Sequence, residues 1–191
     1  MTTAQQGHLR EMALRCAAQL GWDDFSLERL AEKAGCPLSE VQAVFPSKEA
    51  FLGFFFDHIE TTAKQNLCLE DLETFKDKLM ELFFARFEAL TPYKFWCQGV
   101  YDAGFWDPSL LRLVSENLKP YLTFCLEACL KPTWKCQREA YLALLGGFYV
   151  LIFRKWLTDT SPDSAQTLAL MDRVLTQGLS FFQFFQEHSG K

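Results

Sequence analysis

Few residues in this 191-residue chain have the types and spacing that chemistry needs. Cys125 and Cys129 stand four apart, so a helix would put both thiols on one face, where two soft ligands suit a metal. No His and no third Cys stands near them, so they read as two buried thiols, and no metal site is expected. Asp57-His58 reads as a solvated pair rather than an acid–base device. Asp23-Asp24 falls just before Ser26, where negative charge favours a helix start. His8, His58 and His188 lie far apart, and the sequence has no HExxH, no GxSxG and no phosphate-binding glycine loop. Neither an enzyme nor a cofactor is expected. One group remains: Ser39, Glu40 and Gln42, within CPLSEVQAVFPSKEAF at 36–51. Gln can pair with adenine through two hydrogen bonds, and Glu can accept from cytosine.

The elements that must position these residues are helical. Apolar residues recur at three and four, and no alternating run with a hairpin turn is present. Breaks fall at Gly21-Trp22-Asp23-Asp24, Gly35-Cys36-Pro37, Pro46-Ser47, Thr91-Pro92, Asp107-Pro108, Lys131-Pro132 and Ser161-Pro162. Between them the spacing predicts about nine helices. They cover 4–20, 26–34, 37–44, 48–66, 70–90, 93–104, 108–131 (kinked or broken at Pro120), 134–158 and 163–187. Ser47 is the expected N-cap of the fourth. The fold class expected is all-α: a head over 1–48 and a larger body over 49–191.

Bulk properties limit the partners. The formal charge is -5, so nucleic-acid binding is not signalled by charge. The N-terminal stretch MTTAQQGHLRE lacks the apolar core of a signal peptide. The apolar run Ala140 to Phe153 is shorter than the roughly 20 residues a membrane span needs. It reads as a buried helix, and no integral membrane insertion is expected. Seven cysteines without a CxxC pair fit a reducing cytoplasm better than a disulfide framework.

FSLERLAEKAGCPLSEVQAVFPSKEAFLGFFFDHI, residues 25–59, has parts with physical roles. Phe25, Leu27, Leu30 and Ala31 form an apolar helix face. Ala34-Gly35 closes that helix, with Gly allowing a left-handed turn. Val41 and Phe45 anchor the next helix, and Phe45-Pro46-Ser47-Lys48-Glu49 ends it and launches another. This stretch resembles the helix-turn-helix head of the TetR family of transcriptional regulators. The resemblance implies an N-terminal DNA-binding head on a helical body that binds ligand and dimerises. It places 38–43 in the major groove of a palindromic double-stranded operator, and Lys48 with the fourth helix's N-terminus at a phosphate. The DNA-contacting residues implied are Ser26, Ser39, Glu40, Gln42, Ala43 and Lys48. The sequence departs from the family at Ser39, Glu40 and Gln42, where a small residue, a Thr and a Tyr are common. Residues 1–60 hold five basic residues (Arg10, Arg15, Arg29, Lys33, Lys48) against nine acidic ones. Phosphate neutralisation supplies most non-specific affinity, so this head should bind DNA weakly unless a dimer gathers its few cations.

In TetR-like proteins the body takes an apolar ligand and dimerises through its last two long helices. The aromatic segment YKFWCQGVYDAGFWDP at 93–108 suggests a pocket for an apolar or aromatic ligand. Phe83, Phe87, Phe95, Trp96, Tyr101, Phe105 and Trp106 are its candidates. Core packing is the alternative reading of the same residues. The implied homodimer interface is Leu145, Phe148, Ile152, Leu168, Met171, Leu175, Leu179 and Phe182. The Gly146-Gly147 pair would admit a close partner helix. The tail LSFFQFFQEHSGK could dock on a partner helix or at a membrane interface. The reading is a ligand-responsive repressor. The rival is a TetR-fold lipid-binding accessory protein of ubiquinone biosynthesis, which does not bind DNA. DTSPD at 159–163, Thr167 and Arg173-Val174 resemble that group as well as some regulators.

Overall fold

The computed structural model describes the backbone of residues 2–65, 67–70, 72–129 and 135–188, and the side chains of these except 135–137 and 179–188. The described residues are helical and contain no strand. They form α1 (Thr3–Gln19), α2 (Leu27–Ala34), α3 (Leu38–Val44), α4 (Lys48–Gln65) and α5 (Phe75–Leu90). After a 3-10 turn at Thr91–Tyr93 come α6 (Lys94–Trp106), α7 (Pro108–Cys129) and α8 (Lys135–Thr158). A second 3-10 turn, Pro162–Ser164, leads into α9 (Ala165–His188).

Side chains at the breaks explain the starts. Thr2 and Gln5 form a capping box at α1. Ser26 caps α2 by accepting the Arg29 N–H at 3.2 Å, and Ser47 caps α4 by accepting that of Ala50 at 3.2 Å. Asp107 Oδ1 accepts the N–H of Ser109 at 2.9 Å and of Leu110 at 3.2 Å, which starts α7. The break expected at Pro120 does not occur: α7 continues through it. Pro120 removes one hydrogen bond, to the carbonyl of Glu116. Both residues lie on the exposed side of α7, where water can serve that carbonyl.

The chain forms two compact units. The first comprises 1–61 and 90–117, the second 62–89 and 118–191. In the first, α1, α2, α3 and α6 pack around an aromatic core. Phe25 stacks on Phe51 with centroids 4.6 Å apart, and Trp96 meets Phe25 edge-on at 4.9 Å. In the second, α8 packs on α9. Phe87 stacks on Tyr149 at 5.4 Å and on Trp156 at 5.6 Å. Arg86 is buried there: its Nε donates to Tyr149 Oη at 3.0 Å and its guanidinium lies 4.5 Å from the Tyr121 ring centre. Residues 138–158 of α8 are long and apolar enough to cross a membrane. Tyr141, Leu142, Leu145, Tyr149, Ile152 and Trp156 are nonetheless buried within the chain, the arrangement of a core helix.

Candidate nucleic-acid interface

The first unit presents α3 as a short, exposed helix held from beneath. Gly35 ends α2 in the left-handed region (φ +64°), and Cys36 N–H returns to Ala31 O at 3.1 Å. That turn sets the α2–α3 angle. Val41 and Phe45 are buried and clamp α3 onto the unit. Phe45 meets Phe51 edge-on with centroids 5.4 Å apart. Ser39, Gln42 and Ala43 are left exposed, and Glu40 is half-buried. The outward face thus offers one hydroxyl and one amide at helical spacing. It carries no cation.

The remaining members of the expected interface have other contacts. Ser26 is half-buried with its oxygen on the Arg29 N–H. Lys48 opens α4, but its ammonium donates to the Trp22 carbonyl at 2.5 Å and lies 3.9 Å from the centre of the Trp22 indole. Burial pushes its pKa below the ordinary lysine value, and Asp23 and Glu49 pull it back up. The other head cations also have partners. Arg15 pairs with Glu11 at 2.6 Å and Arg29 with Asp24 at 3.0 Å. Lys33 donates to Gln19 at 3.0 Å, and Arg10 sits 5.6 Å from the Phe54 ring centre. The sequence places Trp22 only in a turn, at Gly21-Trp22-Asp23-Asp24. Its signal was a large indole beside two carboxylates, since such a ring needs cover.

The expected pocket residues are divided between the units. Phe83 and Phe87 are buried in the second, where Phe83 meets Tyr149 edge-on at 5.4 Å. Trp96 is buried in the first, edge-on to Trp22 at 5.2 Å. Tyr101 is half-buried, whereas Phe95, Phe105 and Trp106 are 65%, 75% and 83% exposed. Of the expected interface residues, Leu145, Ile152, Met171 and Leu175 are covered by the chain's own second unit. Phe148 and Leu168 are half-buried. The side chains of Leu179 and Phe182, and the rest of the Phe-rich tail, lie outside the described residues. The outward stripe of α8 is Ala140, Ala143, Gly147, Val150, Leu151 and Arg154. Gly147 has open space where a Cβ would stand, while Gly146 faces Leu122 at 3.6 Å.

Among the described residues no three of His, Cys, Asp and Glu gather as a metal site would require. Cys125 is buried, and burial pushes the Cys129 thiol up to about 11, with Lys78 opposing. Such thiols are poor nucleophiles at neutral pH. The DTSPD segment has a structural role. Asp159 Oδ1 accepts from Ser161 N at 2.8 Å and Oγ at 2.5 Å. Its Oδ2 accepts from Thr167 N and Oγ1, both at 2.7 Å. The carboxylate ties the loop to the first turns of α9.

No protein-family model and no curated protein matches this sequence. Solved structures do match its fold. A TetR transcriptional regulator from Nitrosomonas europaea aligns at TM-score 0.73 and 16% identity, over 90% of this chain and 96% of that one. A TetR transcriptional regulator from Rhodococcus sp. RHA1 aligns at 0.64 and 17%, over 91% and 94%. The multidrug binding protein EbrR, in complex with imidazole, aligns at 0.58 and 21%, over 91% and 90%. The chain has the all-helical fold of the TetR regulators.

Proposed function

We propose that this protein is a TetR-like, ligand-responsive transcriptional regulator, cytoplasmic and non-enzymatic. It acts as a homodimeric repressor that an apolar or aromatic ligand releases from a palindromic duplex. The observation that carries this reading is the exposed α3 face of Ser39, Gln42 and Ala43, held outward by buried Val41 and Phe45. A helix of that kind, second in a helix-turn-helix, enters the major groove. The head over 1–48 meets DNA and the body over 49–191 carries ligand and dimer surfaces. Gln42 reads a base, Ser26 and Lys48 meet the backbone, and Glu40 rejects pairs without a donor at its position. The ligand surface lies within the second unit, beside Phe83 and Phe87. Dimerisation uses the outward stripe of α8 together with α9.

A second reading rests on a separate observation. Each of the five head cations already has a partner inside the chain. A head so occupied suits a lipid- or quinone-precursor-binding protein that never meets DNA. Selection of bound fragments from random duplex DNA at about 50 and 200 mM salt separates the two. The regulator reading expects an enriched palindrome whose binding weakens with salt. A folded dimer that enriches nothing at either salt rejects the regulator reading and favours the second. Within the regulator reading, Gln42→Ala relaxes the preference at one base position by about 1–3 kcal/mol. Lys48→Ala weakens binding to all sequences alike and flattens the salt slope by about one. Unchanged affinity and specificity in both variants would reject this docking.

A further inference from the structure

Lys48 differs from the other head cations in where its partner is anchored. Arg15 and Arg29 form exposed pairs with carboxylates, which exchange at little cost. Lys48 is half-buried against a residue that is itself wedged in place. Trp22 is 8% exposed and has Trp96 of α6 edge-on to its ring. Its backbone is pressed onto α6 at Gly99. A Cβ at position 99 would stand 2.8 Å from Trp22 Cβ, closer than such atoms approach, and a tight 3.0 Å from Trp22 N. Gly99 is therefore a notch that seats the turn. One step earlier in the turn, Gly21 lies under Phe95, whose ring would be 2.9 Å from a Cβ there.

We infer that Trp22 holds Lys48 in the DNA-free protein, and that a DNA phosphate must displace the Trp22 carbonyl and indole to engage it, so that the Gly99 seat on α6 sets how readily the head binds DNA. This rests on the regulator reading above. The ammonium is a single charge with three donors and two competing partners. The intramolecular one is preorganised and partly shielded from water, where carbonyl and ring contacts hold a cation best. The phosphate offers a full negative charge and counterion release. Since the seat lies on α6, a shift of α6 against the turn alters Lys48 without touching α3.

The test uses the full chain and a short labelled random duplex at about 50 and 200 mM salt. Trp22→Leu removes the ring and loosens the turn. It is expected to bind roughly 3- to 10-fold tighter at both salts, with an unchanged salt slope, because Lys48 meets a phosphate in both complexes and only the cost of releasing it differs. Lys48→Gln in the same chain abolishes that gain. Weaker binding by a folded Trp22→Leu protein overturns the inference, because the ring would then position Lys48 for phosphate. The wild-type protein gives an independent readout by NMR. A Lys48 ε-methylene signal shifted upfield by the indole, identified by its loss in Lys48→Gln, should return to its ordinary position on saturation with duplex. Absence of the shift in the free protein, or its persistence in the complex, overturns the inference while leaving DNA binding intact. Failure of both wild type and Trp22→Leu to bind, with the Lys48 signal released in the variant, overturns the regulator reading along with it. Gly99→Ala should move the Lys48 signal and affinity in the same sense as Trp22→Leu. An unmoved signal there removes α6 from the device.

Discussion

At the scale of single residues, three positions carry more than their side-chain type announces. Gly35 has φ +64° and open space around its missing Cβ, so a substitution meets backbone strain and nothing else. Gly35→Ala should cost about 1 kcal/mol in urea unfolding, and Gly35→Asn less, because Asn tolerates the left-handed region. Asp159 is a 4% exposed carboxylate that accepts four hydrogen bonds. Burial raises its pKa, but the Ser161 and Thr167 donors outweigh burial and hold it below the usual carboxylate range. A pKa lower in the folded than in the unfolded state stabilises fully at neutral pH. That stability is lost as pH falls through the carboxylate range and below. Asp159→Asn should therefore flatten the fall in Tm between about pH 6 and pH 3. Asp159→Ala should cost about 2–3 kcal/mol at neutral pH through stranded donors. Lys48 is the third such position: its place at the start of α4 was legible, and its attachment to Trp22 was not.

At the scale of elements, the helices and their starts follow from local chemistry, and their faces do not. Ser26, Ser47 and Asp107 each satisfy orphan N–H groups at a start, an effect confined to four residues. Such effects can be read from a string of letters. Pro120 shows the limit, since whether a proline breaks a helix depends on what surrounds the carbonyl it leaves unpaired. The α8–α9 packing supplies a test. A Cβ on Gly178 would lie 2.3 Å from the Phe148 ring. Gly178→Ala should thus displace that ring and cost about 1–3 kcal/mol by thermal unfolding. Phe148→Leu in the same chain should restore part of the loss.

At the scale of the whole molecule, the proposed dimer turns on which face of α8 is free. Leu145 and Ile152 are consumed by the chain's own core, whereas Val150 and Leu151 are each 49% exposed. Leu151→Arg should convert the dimer to monomer in sedimentation at unchanged helical circular dichroism. An unaltered mass would move the interface elsewhere. The sequence alone determined the all-helical class, the helix-turn-helix register and the absence of recognisable catalytic motifs. Each of these depends on neighbours within a turn or two: helical spacing, caps, and glycine or proline at a break. Only the tertiary structure decided which apolar residues face inward, because an apolar face is the same string whether a sister helix or a partner covers it. It also decided that Lys48 rests on Trp22, 26 positions away. A cation's nearest partner is set by folding in space, and chain order holds no measure of that distance.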